Sequence, residues 1–222
     1  MDKKNTTIYV VRHGQSVFNA TLDFDSIEKD GDLGAHLSDL GKEQATALTE
    51  KLKGIDFAAI FSSDLARTKE TAEIVALERK IEVKTTDAIR ERDIVRYSLK
   101  LGYKNLDDVE SWLRKELKEL DEKGKMNYRH SPEMETPNES AIRLLTFIQE
   151  VAVAYKGQTV MVVCHSNIMR CLLNRLGYAK FDELPRKSIE HTAYFVLESD
   201  GSDFSVKETF GIRKIQGEIR PF

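Results

Sequence analysis

Several things are scarce or missing in this chain, and each absence removes a class of function. There are only two cysteines, Cys164 and Cys171. They fall in a strand pattern and the helix pattern after it, so both are expected as buried thiols rather than a disulfide. No apolar run is long enough to span a bilayer, and Met1-Asp2-Lys3-Lys4-Asn5-Thr6 contains no secretory core. The expectation is a cytoplasmic protein with no membrane partner. Asn5, Asn19 and Asn138 open N-x-[ST] triplets, which without an export signal read as chance matches. A basic excess is missing too: 34 Lys and Arg against 37 Asp and Glu give a formal charge of −3, so no nucleic-acid partner is expected. Gly41-Lys42 is followed by Glu43, which excludes a G-x4-G-K-[ST] phosphate loop. There is no G-x-G-x-x-G and no H-E-x-x-H, and His36, His130 and His191 lie at no metal-ligand spacing. Nothing calls for a metal or an organic cofactor. No internal repeat or low-complexity segment is present.

What is present begins near the N-terminus. The β-branched run Thr7-Ile8-Tyr9-Val10-Val11 reads as a buried strand and ends directly in Arg12-His13-Gly14. In α/β sheets the C-terminal strand ends face the ligand crevice. Histidine can be a nucleophile toward phosphorus, arginine presents a fork that matches phosphate oxygens, and glycine lets backbone come close to a ligand. A second run, Thr159 to Cys164, ends in His165-Ser166-Asn167. It passes into a helix marked by Ile168, Leu172, Leu173 and Leu176 and stopped by Gly177. The N–H groups of the Ser166-Asn167 turn would form an anion site at that helix start. A third strand candidate, Phe57 to Phe61, precedes Ser62-Ser63-Asp64-Leu65-Ala66-Arg67-Thr68. Ser63 or Asp64 can cap the next helix, with Arg67 about one turn inside it. Glu91 follows the strand candidate Ile81 to Thr85.

Between these lie a polar loop from Ala20 to Ala35, a helix capped by Ser38 and running to about Lys53, and a helix over about 64–78. From Ile94 to Pro137 the strand–helix alternation breaks. Within that stretch Leu106, Val109, Leu113, Leu117 and Leu120 mark an amphipathic helix ended by Gly124. Thr136-Pro137-Asn138-Glu139 is a capping box that opens a helix to about Tyr155. His191 to Leu197 and Phe204 to Thr209 read as closing strands. The pattern predicts a three-layer α/β/α sandwich around a mostly parallel sheet. It forms one domain over 1–222, with a helical insertion at 94–137 that acts as a lid over the strand ends.

The motifs Val11-Arg12-His13-Gly14-Gln15-Ser16 with Asn19, Leu37-Ser38-Asp39-Leu40-Gly41 with Gln44-Ala45, Ser62 to Thr68 with Thr71-Ala72, Arg90-Glu91-Arg92-Asp93, Glu139-Ser140, and Val162-Val163-Cys164-His165-Ser166 occur in a shared order and spacing. Over about Ile8 to Leu197 the chain resembles the histidine phosphatase superfamily, in its phosphoglycerate-mutase-like branch. The resemblance implies that His13 attacks phosphorus and forms a phosphohistidine. It makes His165 a second catalytic histidine and Glu91 the group that protonates the leaving oxygen. Arg12, Arg67, Asn19 and Ser166 would hold the phosphate. Positive neighbours would keep His13 unprotonated.

The resemblance weakens where substrate is chosen. After Glu91 the chain reads Arg92-Asp93-Ile94-Val95-Arg96-Tyr97-Ser98, with neither the His, Tyr and Gly motif of the mutases nor a Gly-x-aromatic-x-Gly run. Phe18 stands where tryptophan is common, and Asn138 where glycine often precedes Glu-Ser. Arg92, Arg96, Tyr97 and Arg129 are the specificity candidates. Three functions remain open. They are a metal-independent phosphomonoesterase for a small phosphorylated metabolite, a phosphoglycerate mutase or other phosphotransferase, and a scaffold without turnover. The sequence leaves the oligomeric state open, a dimer included.

Overall fold

The computed structural model describes residues 5–21, 36–103 and 105–215. The side chains of Arg96, Leu99 and Leu106 fall outside that description, as does the polar loop expected from Ala20 to Ala35, apart from its first two residues. Those two, Ala20 and Thr21, are helical rather than looped. They close α1 (Val17–Thr21), whose first turn is held by Ser16 and Asn19.

The strands are β1 (Thr6–Arg12), β2 (Ala59–Ser63), β3 (Val83–Thr86), β4 (Thr159–Cys164), β5 (Ile189–Ser199) and β6 (Phe204–Ile212). They form one sheet in the order β3-β2-β4-β1-β5-β6. β1 to β4 run parallel, and β5 and β6 are antiparallel to their neighbours. α2 (Asp39–Lys51) and α3 (Ala66–Leu77) cover one face, while α7 (Pro137–Ala154) and α8 (Ser166–Arg175) cover the other. The chain is thus the expected three-layer α/β/α sandwich.

The alternation of side chains along a strand, with both faces covered, explains the continuous apolar runs Ile8–Val11 of β1 and Val160–Cys164 of β4. In β1, Ile8 and Val10 enter the α7–α8 core, whereas Tyr9 and Val11 enter the α2–α3 core. In β4, Val160, Val162 and Cys164 point one way, and Met161 and Val163 the other. Every one of these side chains gains from burial, at roughly 1.5–3 kcal/mol for a large aliphatic. Cys164 therefore faces the α7–α8 core, where burial pushes its thiol pKa far up. It is no competing nucleophile.

Side-chain caps open four of the described helices. Ser38 Oγ accepts from Gly41 N–H at the start of α2. Thr136 and Glu139 exchange the reciprocal bonds of a capping box, with Pro137 at the first helical position. After α8, Gly177 adopts φ +72°, which terminates the helix. Two caps differ from expectation. β2 runs on through Ser63, so α3 starts from Leu65 with no side-chain cap. Asp64 instead pairs with Arg90 at 2.5 Å. Nor does Gly124 end the amphipathic helix. α5 (Leu106–Leu117) ends earlier, and Asp121 caps a new short helix, α6 (Glu122–Asn127), by accepting from Gly124 N–H at 2.7 Å. With α4 (Ile94–Lys100) these helices make up the stretch at 94–137. Among the described residues no helix is long and apolar enough to cross a membrane.

Gly14 was expected to let backbone approach a ligand. Its close approach is instead to protein: a Cβ on Gly14 would lie 2.5 Å from Gly41 O. Gly41 in turn leaves no room for a Cβ against Gln15 O. The two glycines pack the His13 loop directly on the first turn of α2. Gly14→Ala should therefore lower stability by about 1–3 kcal/mol through overpacking, read as a drop in thermal midpoint. A variant with the wild-type midpoint would mean the loop relaxes freely.

Candidate active site

The site lies at the C-terminal edge of the parallel strands. Arg12 pairs in register with Cys164, so the residues that follow, His13 and His165, leave adjacent strand ends together. His13 N–H donates to Cys164 O at 3.1 Å, and the two imidazole centroids are 5.2 Å apart. α3 brings Arg67 to both: its Nε donates to His13 Nε2 at 3.3 Å, and its Nη2 contacts His165 Nδ1 at 3.3 Å.

These contacts settle the tautomers. Gly14 O can only accept, so His13 Nδ1, 2.6 Å away, carries the proton. Arg67 can only donate, so His13 Nε2 presents its lone pair. Burial, then Arg67, the neighbouring imidazole of His165 and Arg12, hold the His13 pKa well below 6.5. A neutral imidazole whose lone pair lies on Nε2, at the pocket side of the ring, is what in-line attack on phosphorus requires. By the same reasoning His165 Nδ1 accepts from Arg67, and its Nε2 carries a proton. That Nε2 is buried and has no hydrogen-bond partner among the described residues. Burial, followed by Arg67 and Arg12, keeps His165 neutral as well.

Arg12 anchors its fork on Ile189 O at 2.6 Å and reaches His191 Nε2 at 3.5 Å. Burial lowers its pKa to about 10, Glu91 opposing and Arg67 assisting, so it stays a cation. The Oδ1 of Asn19 accepts from Ser16 N–H, which leaves its Nδ2–H group to offer a ligand. The expected anion site at the start of α8 is already occupied by a side chain of the protein: Glu91 accepts from Asn167 N and Ile168 N at 2.9 Å each, and from Arg92 N at 3.0 Å. The carboxylate is thus fixed by a helix N-terminus.

Arg12, His13, Asn19, Arg67, Glu91, Arg92 and Ser166 line one cavity of about 1790 Å³ formed by the described residues. The 94–137 stretch contributes Val95, Val109, Leu113, Leu117 and His130 to its wall. Two specificity candidates are not on that wall. Tyr97 does not line the cavity, and Arg129 is committed to Met134 O and Glu139 at the start of α7. The Arg96 side chain is outside the described residues. Among them no cluster of three or more His, Cys, Asp or Glu side chains is arranged to hold a metal ion.

Sequence reasoning missed His191. It lines the cavity, its ring centroid is 6.0 Å from that of His13, and burial followed by Arg12 lowers its pKa to about 4. The usable signal was the direction of the last strands: an antiparallel strand brings its N-terminal end, not its C-terminal end, to this edge. A register shift in β5 accompanies the placement, with Thr192 held at φ +58° and its N–H on His13 O at 3.4 Å. A β-branched residue in the left-handed region is strained, and such strain tends to gather at functional sites.

Four histidines with depressed pKa values predict a pH dependence of stability. His13, His165, His191 and His130 are neutral when folded but protonate near 6.5 when unfolded. Below that pH the unfolded chain binds more protons than the folded one, so stability falls with falling pH. The thermal midpoint should decline steadily from pH 7 to pH 5, above the range where paired carboxylates titrate. A flat midpoint there would contradict the neutral assignment.

Fold and site together define an α/β protein whose strand ends assemble a cationic pocket around two neutral histidines. The sequence matches the model of the histidine phosphatase superfamily (branch 1) over residues 8–210, and the chain belongs to that family. A phosphoglycerate mutase-like protein 4 from Arabidopsis thaliana is 30% identical over 177 residues, covering 76% of this chain and 70% of that protein. A probable phosphoglycerate mutase from Yersinia enterocolitica is 27% identical, over 76% and 74%. Among solved structures, the phosphoglycerate mutase of Bacillus anthracis superposes with a TM-score of 0.71 at 20% identity, covering 95% of both chains. A mycobacterial glucosyl-3-phosphoglycerate phosphatase superposes at 0.66 and 20%, covering 93% of this chain and 98% of that one.

Proposed function

We propose that this protein is a phosphomonoesterase that works through a phosphohistidine and needs no metal. One observation carries the reading. The tautomer of His13 is locked by Gly14 O, with its Nε2 lone pair beside Arg67.

In the first step Nε2 attacks phosphorus, the N–P bond forms and the ester P–O bond breaks. Glu91 delivers a proton to the departing oxygen, without which an alkoxide is a poor leaving group. Arg12, Arg67 and the Nε2–H of His165 hold the equatorial oxygens as their charge shifts. In the second step water attacks phosphorus, Glu91 takes a proton from it, the N–P bond breaks and inorganic phosphate leaves. Three fixed cations and donors supply here the charge stabilisation that metal ions supply in other phosphoryl-transfer sites.

The mutase reading differs in keeping the phosphoryl group on His13 long enough to return it to a second position of the product. The Arg92-to-Ser98 sequence after Glu91, which lacks the mutase motif, favours hydrolysis. The deciding experiment uses p-nitrophenyl phosphate in EDTA, then 3-phosphoglycerate with and without 2,3-bisphosphoglycerate. Release of inorganic phosphate in EDTA, with an acid-labile and base-stable label on the protein after quenching, supports the esterase. Formation of 2-phosphoglycerate dependent on the bisphosphate would replace it with the mutase. Neither product would leave a binding module.

A further inference from the structure

Among the described residues, the side chain of Arg12 makes its hydrogen bonds to β5 alone. Nη1 donates to Ile189 O at 2.6 Å, and Nη2 to His191 Nε2 at 3.5 Å. Its Nε is buried and meets no partner among those residues. Neither acceptor carries a charge. Glu91 acts on Arg12 from further off, but its oxygens accept the N–H groups of Asn167, Ile168 and Arg92. A carboxylate against the fork would fix it as firmly, yet it would compete with phosphate for the same cation. A carbonyl and a neutral imidazole fix the direction of the fork and leave its charge whole.

The His191 ring is set up for that task. Arginine can only donate, so Nε2 accepts and the ring proton lies on Nδ1. Burial and then Arg12 keep the ring neutral, with the His13 carbonyl opposing them. That carbonyl also accepts from Thr192 N–H at 3.4 Å. The start of β5 therefore touches both members of the Arg12-His13 pair.

The backbone is bent to place these contacts. β5 pairs with β6 at Ile189↔Ile212 and again at Tyr194↔Phe210, so residues 190–193 face Gly211 alone. Thr192 holds φ +58° inside this bulge, opposite Gly211 at φ +67°. A Cβ on Gly211 would lie 2.9 Å from Ala193 Cβ, so the bulge depends on the missing side chain. Bulges re-aim side chains beside active sites. A β-branched residue in the left-handed region persists only where its surroundings override the strain. Here the bulge carries the ring that meets Arg12 and the N–H that meets His13.

We propose that His191 is a positioning residue for phosphoryl transfer: as a neutral acceptor it holds the Arg12 guanidinium in the orientation that meets phosphate, and the β5 bulge serves to place it there. This rests on the phosphohistidine reading above, in which Arg12 holds equatorial oxygens. His191 acts through Arg12 and not on the substrate. At 3.5 Å its bond to Arg12 is long, as hydrogen bonds in catalytic sites often are before substrate tightens them.

The test measures dissociation constants for inorganic phosphate and vanadate by calorimetry, and kcat/KM for p-nitrophenyl phosphate. His191→Leu, which loses the acceptor, should weaken both anions and lower kcat/KM by about tenfold or more, the worth of one hydrogen bond to a charged group. His191→Gln or His191→Asn, whose amide oxygens accept, should recover most of that loss. His191→Phe keeps the bulk of a ring without the acceptor and stands in where His191→Leu fails to fold. In an Arg12→Met background His191→Leu should add little, because the residue it acts through is already gone. Wild-type affinities in both His191→Leu and His191→Phe would overturn the role. So would equal losses in the leucine, glutamine and asparagine variants, or a loss that adds in full to that of Arg12→Met. If no ester is hydrolysed, the esterase reading has failed, and the anion dissociation constants of the same variants still decide the role of His191. Wild-type protein that binds neither anion would overturn both.

Discussion

His13→Ala should abolish phosphate release and covalent labelling together while leaving the fold intact. The imidazole sits at a strand end, and its backbone N–H, which bonds Cys164 O, survives the substitution. Removing the nucleophile of a covalent mechanism costs on the order of 10⁶ in kcat, which here means loss below detection. The pH profile adds a second check. Activity requires neutral His13, whose pKa lies well below 6.5, so kcat/KM should not fall with acid until well under that pH. Arg67 is the largest charge opposing protonation. Arg67→Met should therefore raise the His13 pKa and move the acid limb toward neutrality. Full turnover in His13→Ala, or label recovered on Cys164, would falsify the mechanism. An acid limb that stays in place in Arg67→Met would show that burial and the remaining neighbours keep His13 neutral without Arg67.

Glu91→Gln and Arg67→Ala should separate proton transfer from charge stabilisation. Arg67 meets phosphoryl oxygens in both ground and transition states, so Arg67→Ala should weaken vanadate and phosphate binding as well as rate. Glu91→Gln should lower the rate with an alkyl phosphate by about 10²–10⁴, with phosphate affinity nearly unchanged. The loss should shrink with p-nitrophenyl phosphate, whose leaving group is stable as an anion. Asn167 N–H and Ile168 N–H donate to different oxygens of Glu91, so the glutamine keeps an acceptor for one of them and the start of α8 keeps a partial cap. Equal losses with both esters would remove Glu91 from the acid role and reduce it to holding that helix.

Much of this site could be read directly from the chain because its residues follow apolar runs. A strand buried on both faces has no polar positions, so the first polar residues after it mark the sheet edge. That places Arg12-His13 and His165-Ser166 without any knowledge of packing. Arg67 and Glu91 were harder. One lies a turn inside a helix and the other in a loop, and either could be a solvated charge until the shared order of motifs is seen. The insertion candidates fared differently. A polar residue on an irregular segment carries no signal of direction, so Arg129 could not be told from a substrate contact until its partners, Met134 O and Glu139, were known.

The sequence by itself determined the layered fold, the four parallel strands, the helix caps at Ser38 and Thr136, and the two histidine-bearing strand ends. Those depend on local periodicity and capping chemistry. Only the tertiary structure decided the rest. It turned β5 around so that His191 arrives beside His13, spent the N–H groups at the start of α8 on Glu91, set Gly14 against Gly41, and anchored the Arg12 fork on Ile189 and His191. Each of these is a contact between segments distant in the chain. Such contacts are fixed by strand direction and register, which no local pattern records.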